Sequence, residues 1–181
     1  MATWRYNESR SVEMADVGAA AAAASDSMMS EHGTYSSVDD SNMDLSYSGL
    51  QEFPHSILSS CPQQITSLHL SNNHIAVLPP EVGIFTNLVT LDISNNRLKS
   101  IADEMCNLHF LRTFVARNNC LSVESIPKDF GTLPSLAVLN LSGNQLVQLP
   151  VQFTELPQLK CLYLGANRIS TIPPEVQNMS K

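Results

Sequence analysis

The chain has few aromatic residues, 6% of its 181, and few bases, ten Lys and Arg against seventeen Asp and Glu. No cluster of Lys and Arg supplies the electrostatic footprint that a phosphate backbone or an anionic membrane needs, so nucleic acid and membrane are not expected as partners. Long apolar runs are missing too. The longest, Val17 to Ala24, is mostly alanine and far short of the ~20 residues that span a bilayer. Acidic Glu13 and Asp16 stand where a secretory leader would carry bases, and no glycine follows Met1 to accept a myristoyl group. The expected address is therefore cytoplasmic, with the nucleus as the alternative.

Cys61, Cys106, Cys120 and Cys161 form no CxxC pair, which removes the spacing that zinc or dithiol redox chemistry requires and favours four free thiols. The sequons at Asn7, Asn140 and Asn178 carry no weight on a chain expected in the cytosol. No Gly-rich phosphate loop, G-x-S-x-G, H-E-x-x-H or Cys/His cluster is present, so no catalytic residue, cofactor or metal is expected and the chain does not read as an enzyme. The best catalytic remnant is His69 beside Asp92, with nothing nearby to supply a nucleophile or oxyanion donors.

Residues 1–41 combine six consecutive alanines, many serines and acidic side chains with almost no branched aliphatics, and are expected to be a disordered tail. Through Asp44 the tail holds eight acids against two bases, a net of −6, leaving about one negative charge for the rest. An isolated alanine helix over residues 13–24 would be marginal in water. Ser36 and Ser37, each three residues before an aspartate, match an acidophilic kinase pattern that also arises by chance.

What the chain does have, from Ile65 onward, is one spacing repeated: L-x-x-L-x-L-x-x-N-x-L. Its copies are Ile65, Leu68, Leu70, Asn73, Ile75; then Leu88, Leu91, Ile93, Asn96, Leu98; then Leu111, Phe114, Ala116, Asn119, Leu121. Leu136, Leu139, Leu141, Asn144, Leu146 and Leu159, Leu162, Leu164, Asn167, Ile169 complete the five. The intervals are 23 residues except the third, which is 25. A degenerate copy with Met43, Leu45, Ser48 and Leu50 precedes them, and an apolar-Pro step follows every copy but one, where Ile101-Ala102 stands instead.

Paired apolar residues alternating with polar ones predict a short strand whose apolar side chains point inward. The asparagine then turns the chain, and stacked copies Asn73, Asn96, Asn119, Asn144 and Asn167 are expected to form a structural ladder that satisfies backbone groups. The proline sends the chain over the convex side in extended or short-helical form, and strands return in parallel about 4.8 Å apart. The expected fold is an α/β solenoid, a horseshoe segment with a parallel concave sheet of about six short strands. Its repeats would be 42–64, 65–87, 88–110, 111–135, 136–158 and 159–181.

This pattern is the leucine-rich repeat, and its 23-residue LPxE(V/I)xxLxxL form resembles the Ras-suppressor and Scribble type over residues 43–181. Within that class, the stretches Arg112 to Asn119, Ile126-Pro127-Lys128, Val138 to Asn144 and Cys161 to Gly165 resemble the family of leucine-rich repeat-containing protein fifty-eight. The resemblance implies further repeats and a Cys-containing C-terminal region that couples the repeats to ubiquitin-ligase machinery; neither is read in this sequence. Lys181 stands one residue before the next copy's first leucine is due, which reads as a truncated product. The alternative is self-association, or partner docking, through the uncapped C-terminal strand edge.

The same register lists the outward side chains. The central column is Asp44, His69, Asp92, Val115, Asn140, Tyr163; before it run Asn42, Ser67, Thr90, Thr113, Val138, Cys161, and after it Ser46, Ser71, Ser94, Arg117, Ser142, Gly165. A sheet of six strands is ~25 to 30 Å across, about half of the ~800 Å² that one partner contributes to a standard interface. Another protein is the expected ligand, bound through His69, Asp92, Val115, Arg117, Asn140 and Tyr163, with Arg117 and Tyr163 as anchors. The expected function is a non-catalytic scaffold or adaptor in intracellular signalling. A ubiquitin-ligase substrate-recognition subunit and a fragment without independent function are the alternatives.

Overall fold

A computed structural model of the chain describes residues 41–59 and 61–179, which belong to the unit Asp39–Lys181. The tail expected over residues 1–41 lies, Ser41 apart, outside the described residues, as do the candidate alanine helix, Ser36 and Ser37.

Where the repeat places an inward apolar residue between two outward ones, the chain forms a three-residue strand. In chain order the strands are β1 (Asn42–Asp44), β2 (Ser67–His69), β3 (Val77–Leu78), β4 (Thr90–Asp92), β5 (Ser100–Ile101), β6 (Thr113–Val115), β7 (Val138–Asn140) and β8 (Cys161–Tyr163). Six of them pair in parallel in the order β1-β2-β4-β6-β7-β8. Their register sets Asp44 beside His69, His69 beside Asp92, Asp92 beside Val115, Val115 beside Asn140 and Asn140 beside Tyr163. The unit is thus the leucine-rich solenoid that the spacing implies.

The inward residues Leu68, Leu91, Phe114 and Leu139 have no exposed surface, and neither do Leu70, Ile93, Ala116 and Leu141 two residues on. Burying each large aliphatic side chain contributes about 1.5 to 3 kcal/mol. On the convex side the chain makes five-residue 3-10 turns, Pro80–Ile84, Asp103–Asn107, Lys128–Thr132 and Val151–Glu155, followed by Pro174–Met179. Each opens on the same i→i−3 bond: Val82 N to Pro79 O, Met105 N to Ala102 O, Phe130 N to Pro127 O, Phe153 N to Pro150 O and Val176 N to Pro173 O, all 3.1 to 3.2 Å. Proline serves here through its carbonyl and its extended backbone. Ala102 supplies both, at φ −69 and ψ 150, which is why the repeat lacking proline closes like the others. The turns drive Val82, Met105, Phe130 and Phe153 into the core. Phe130 packs between Phe114, 6.3 Å centroid to centroid, and Phe153, 5.6 Å.

The convex side also holds strands that the repeat pattern does not announce. β3 and β5 pair in parallel, and Gln148 and Thr171 form an isolated bridge at the same repeat position. Between these two pieces the row is broken, because the two residues that lengthen the third interval fall between Leu121 and Ile126. They are absorbed by a 3-10 turn, Val123–Ser125, held by a capping box between Ser122 and Ser125. The buried Ser125 hydroxyl then donates to Lys99 O at 2.6 Å, occupying the acceptor of the neighbouring repeat where pairing lapses.

Cys61, Cys106, Cys120 and Cys161 are free thiols in this fold, Cys61 exposed and the others half-buried. Burial pushes the Cys106 thiol up to about 11, reinforced by the negative charges of Asp129, Asp103 and Glu104. Because thiolate is the nucleophile, Cys106 should carry about a hundredfold less reactive form than an ordinary cysteine at pH 8. Iodoacetamide labelling of the folded chain, followed by peptide mass spectrometry, should therefore modify Cys61 well before Cys106, with rates converging in urea. Equal rates in the folded chain would contradict this account.

Candidate functional site

Asn73, Asn96, Asn119, Asn144 and Asn167 each stand four residues after the last residue of a strand and close the corner between sheet and convex side. Each Oδ1 accepts the backbone N–H of the preceding repeat: Leu50, Ile75, Leu98, Leu121 and Leu146 respectively, at 2.9 to 3.1 Å. Each Nδ2 donates to a carbonyl of the preceding repeat, Leu45, Leu70, Ile93, Ala116 or Leu141, at 2.9 to 3.0 Å. The same Nδ2 also donates to a carbonyl three residues before it in its own repeat, 2.8 to 3.2 Å away. One carboxamide thus ties two repeats together, and the ladder runs through the backbone rather than from asparagine to asparagine. Asn73, Asn119 and Asn144 are buried.

Sequence reasoning overlooked the residue before each ladder position. Tyr47, Asn72, Asn95, Asn118, Gly143 and Ala166 all have positive φ, between 53 and 69. The signal was present as Asn-Asn and Gly-Asn pairs, since asparagine and glycine tolerate this region best. Gly143 has a second reason to lack a side chain: its Cβ would run into the side chain of Asn118, whose Nδ2 donates to Asn95 Oδ1 at 2.8 Å. Ala166, at φ 55, has no such excuse. Left-handed backbone costs an L-residue about 1 to 2 kcal/mol, so Ala166→Gly should stabilise the chain by about 1 kcal/mol net of glycine's entropy cost. A raised urea midpoint at constant m-value would show it; a lowered midpoint would refute it.

This corner turns the ends of the strands so that three columns of side chains line the concave face. In the central column Asp44 is exposed and His69, Asp92, Val115, Asn140 and Tyr163 are half-buried. Three of these side chains are also turn caps: Asp44 Oδ1 accepts Ser46 N at 2.9 Å, Asp92 Oδ1 accepts Ser94 N at 2.9 Å and Asn140 Oδ1 accepts Ser142 N at 3.1 Å. Ser94 adds its hydroxyl to Asp92 Oδ1 at 2.6 Å. The bonds from Ser46 hold the Asp44 carboxyl below the usual carboxylate range, with the charge of His69 helping least. His69 and Asp92 do lie on paired strands, but the carboxylate is already committed to Ser94. The D-x-S spacing at 44–46 and 92–94 was a legible signal for that commitment.

Toward the C-terminal strands the face changes character. Val115, Val138, Cys161 and Tyr163 are half-buried apolar or aromatic neighbours, and Arg117 is exposed beside them. Cys161, and after it burial, pushes the Tyr163 phenol above its ordinary range, so this tyrosine is neutral at physiological pH. In the last described repeat the apolar positions Leu159, Leu162, Leu164 and Ile169 are partly buried, and Ile172 is 65% exposed where its counterpart Leu149 is 7%. Among the described residues no group of His, Cys, Asp and Glu is arranged to hold a metal, and no helix is long and apolar enough to cross a membrane.

Family models of leucine-rich repeats match residues 63–106, 86–146 and 118–169. The chain belongs to the leucine-rich repeat proteins, whose repeats typically serve as non-catalytic modules for contacts between proteins. Among individual proteins it is similar to leucine-rich repeat-containing protein 58 of Xenopus tropicalis, 41% identical over 112 residues, which is 61% of this chain and 32% of that protein. The mouse protein of that name is 41% identical over 93 residues, 49% of this chain and 25% of its own length. The matching segment therefore spans about a third, or less, of these relatives. Among solved structures, the Arabidopsis receptor kinase HAESA, in complex with the peptide hormone IDA and the co-receptor SERK1, superposes with a TM-score of 0.65 at 35% identity, over 77% of this chain and 24% of the receptor.

Proposed function

We propose that the chain is a protein-binding scaffold or adaptor whose concave sheet is the recognition surface, acting in intracellular signalling without catalysis. The observation that carries this reading is the in-register run of outward side chains across six parallel strands, with a large cation, Arg117 after β6, and an aromatic, Tyr163 on β8, on one ordered face. Interfaces favour such anchors because they bury much apolar area and still keep a polar handle. The serines in the flanking column supply hydrogen bonds around them. Likeness to a receptor that holds a peptide hormone supports the same reading.

The test is a quantitative pull-down with the full chain and the double variant Arg117→Glu, Tyr163→Ala, after equal melting has been verified. Both positions are outward on the face, so the fold should survive, and loss of an anchor pair should weaken a specific partner at least tenfold. Identical partner profiles would sink the assignment of the concave face.

A further inference from the structure

Two features of the concave face are not required by its role as a sheet. Arg117 is exposed on the column after β6, flanked by Ser94 and Ser142, and among the described residues no carboxylate engages its guanidinium. On the two strands that follow, Val138, Cys161 and Tyr163 form an apolar surface, and Arg117 is the one charged side chain in the three outward columns of β6, β7 and β8. Gly165 follows Tyr163 with open space where a Cβ would lie, which leaves the ring's flank accessible from the face. The strands on the other side of β6 carry the opposite charge, Asp92 on the adjacent β4 and Asp44 on the edge strand β1.

We infer that this half of the face binds an extended segment of the partner carrying a carboxylate side chain for Arg117 and, about three residues away, an apolar or aromatic side chain for the Val138–Cys161–Tyr163 surface. The inference rests on the concave face being the binding surface and adds the partner's chemistry. The spacing follows from the strands: β6 and β8 are two positions apart, ~10 Å, and an extended chain crossing them advances ~3.3 Å per residue. Charge complementarity fixes the order. A carboxylate set over Asp44 or Asp92 would be repelled, whereas Arg117 offers a planar fork of donors suited to it. The segment's acidic residue therefore lies toward the middle of the sheet and its apolar residue toward β8.

The experiment displays randomised dodecapeptides against the immobilised full chain and against Arg117→Glu and Tyr163→Ala separately. The wild-type selection should be enriched in an acidic residue three positions from an aromatic or large aliphatic one. Arg117→Glu should exchange the acidic preference for Lys or Arg, and Tyr163→Ala should lose the apolar preference while keeping the acidic one. Representative peptides should bind wild type at least tenfold more tightly than their acid-to-lysine versions by fluorescence anisotropy. No enrichment, or an acidic preference that survives Arg117→Glu, would overturn the inference; so would a dimer dissolved by Arg117→Glu, which would make a second copy the occupant. If the pull-down responds to the double variant while the peptides show no preference, this inference falls and the concave reading stands. If neither responds, both fall.

Discussion

Asn119→Ala should lower the stability of the chain by about 3 to 5 kcal/mol, more than any single surface change. The carboxamide is buried, and its removal strips four bonds at once: Leu98 N loses its acceptor, and the carbonyls of Ile93, Ala116 and Arg117 lose a donor. A buried polar group left unsatisfied costs about 1 to 3 kcal/mol. The three carbonyls keep other donors, Asn96 Nδ2 on Ile93 O, Asn144 Nδ2 on Ala116 O and Asn95 N on Arg117 O, so the orphaned N–H of Leu98 dominates and each lost bond to a carbonyl adds about 0.5 to 1.5 kcal/mol. Asn167→Ala, at a partly exposed position with the same bonding pattern, should cost less because water can replace the amide. Urea unfolding followed by circular dichroism measures both. Equal and small losses would mean that the ladder is decoration on a fold held by its leucines alone.

The ladder also marks how far the sequence carries. A side chain recurring every 23 residues, flanked by apolar positions at fixed offsets, can satisfy its backbone and bury its neighbours in one arrangement, so strand register and the outward columns follow directly from spacing. Leu68 and Leu91 could not be exchanged with His69 and Asp92 without turning the core outward. Features shorter than the period left no comparable trace. β3 and β5 are two residues each, too few for alternation to be visible. The longer third interval was plain, but nothing local said that the extra residues would become Val123–Ser125 or that Ser125 would cover Lys99 O. Of the face itself, the outward placement of Arg117 and Tyr163 was legible because register suffices for it. The commitment of Asp92 to Ser94 was overlooked because two adjacent polar side chains were read as surface rather than as a turn.

Phe130→Ala is expected to do comparable damage by a different route. The ring has no exposed surface and touches Phe114 of its own repeat and Phe153 of the next. Truncating a buried phenylalanine costs about 3 to 5 kcal/mol, the transfer term plus the cavity left behind. In a solenoid that loss is not spread evenly. Each repeat is held by its neighbours, so a void between the third and fourth 3-10 turns weakens the coupling across one boundary. The repeats beyond residue 136 should then open without the rest. The last of them already has poorly covered apolar positions, with Leu159, Leu162 and Leu164 partly buried and Ile172 exposed, which lowers the cost of that opening. Native-state hydrogen exchange should show amides of β7 and β8 losing protection first while those of β2 and β4 keep theirs, and urea unfolding should broaden from one transition into two. Phe130→Leu should retain a single transition at a cost of about 1 to 1.5 kcal/mol. A uniform loss of protection in Phe130→Ala would mean that the unit folds as one cooperative block and that the aromatic contact is one core contact among many.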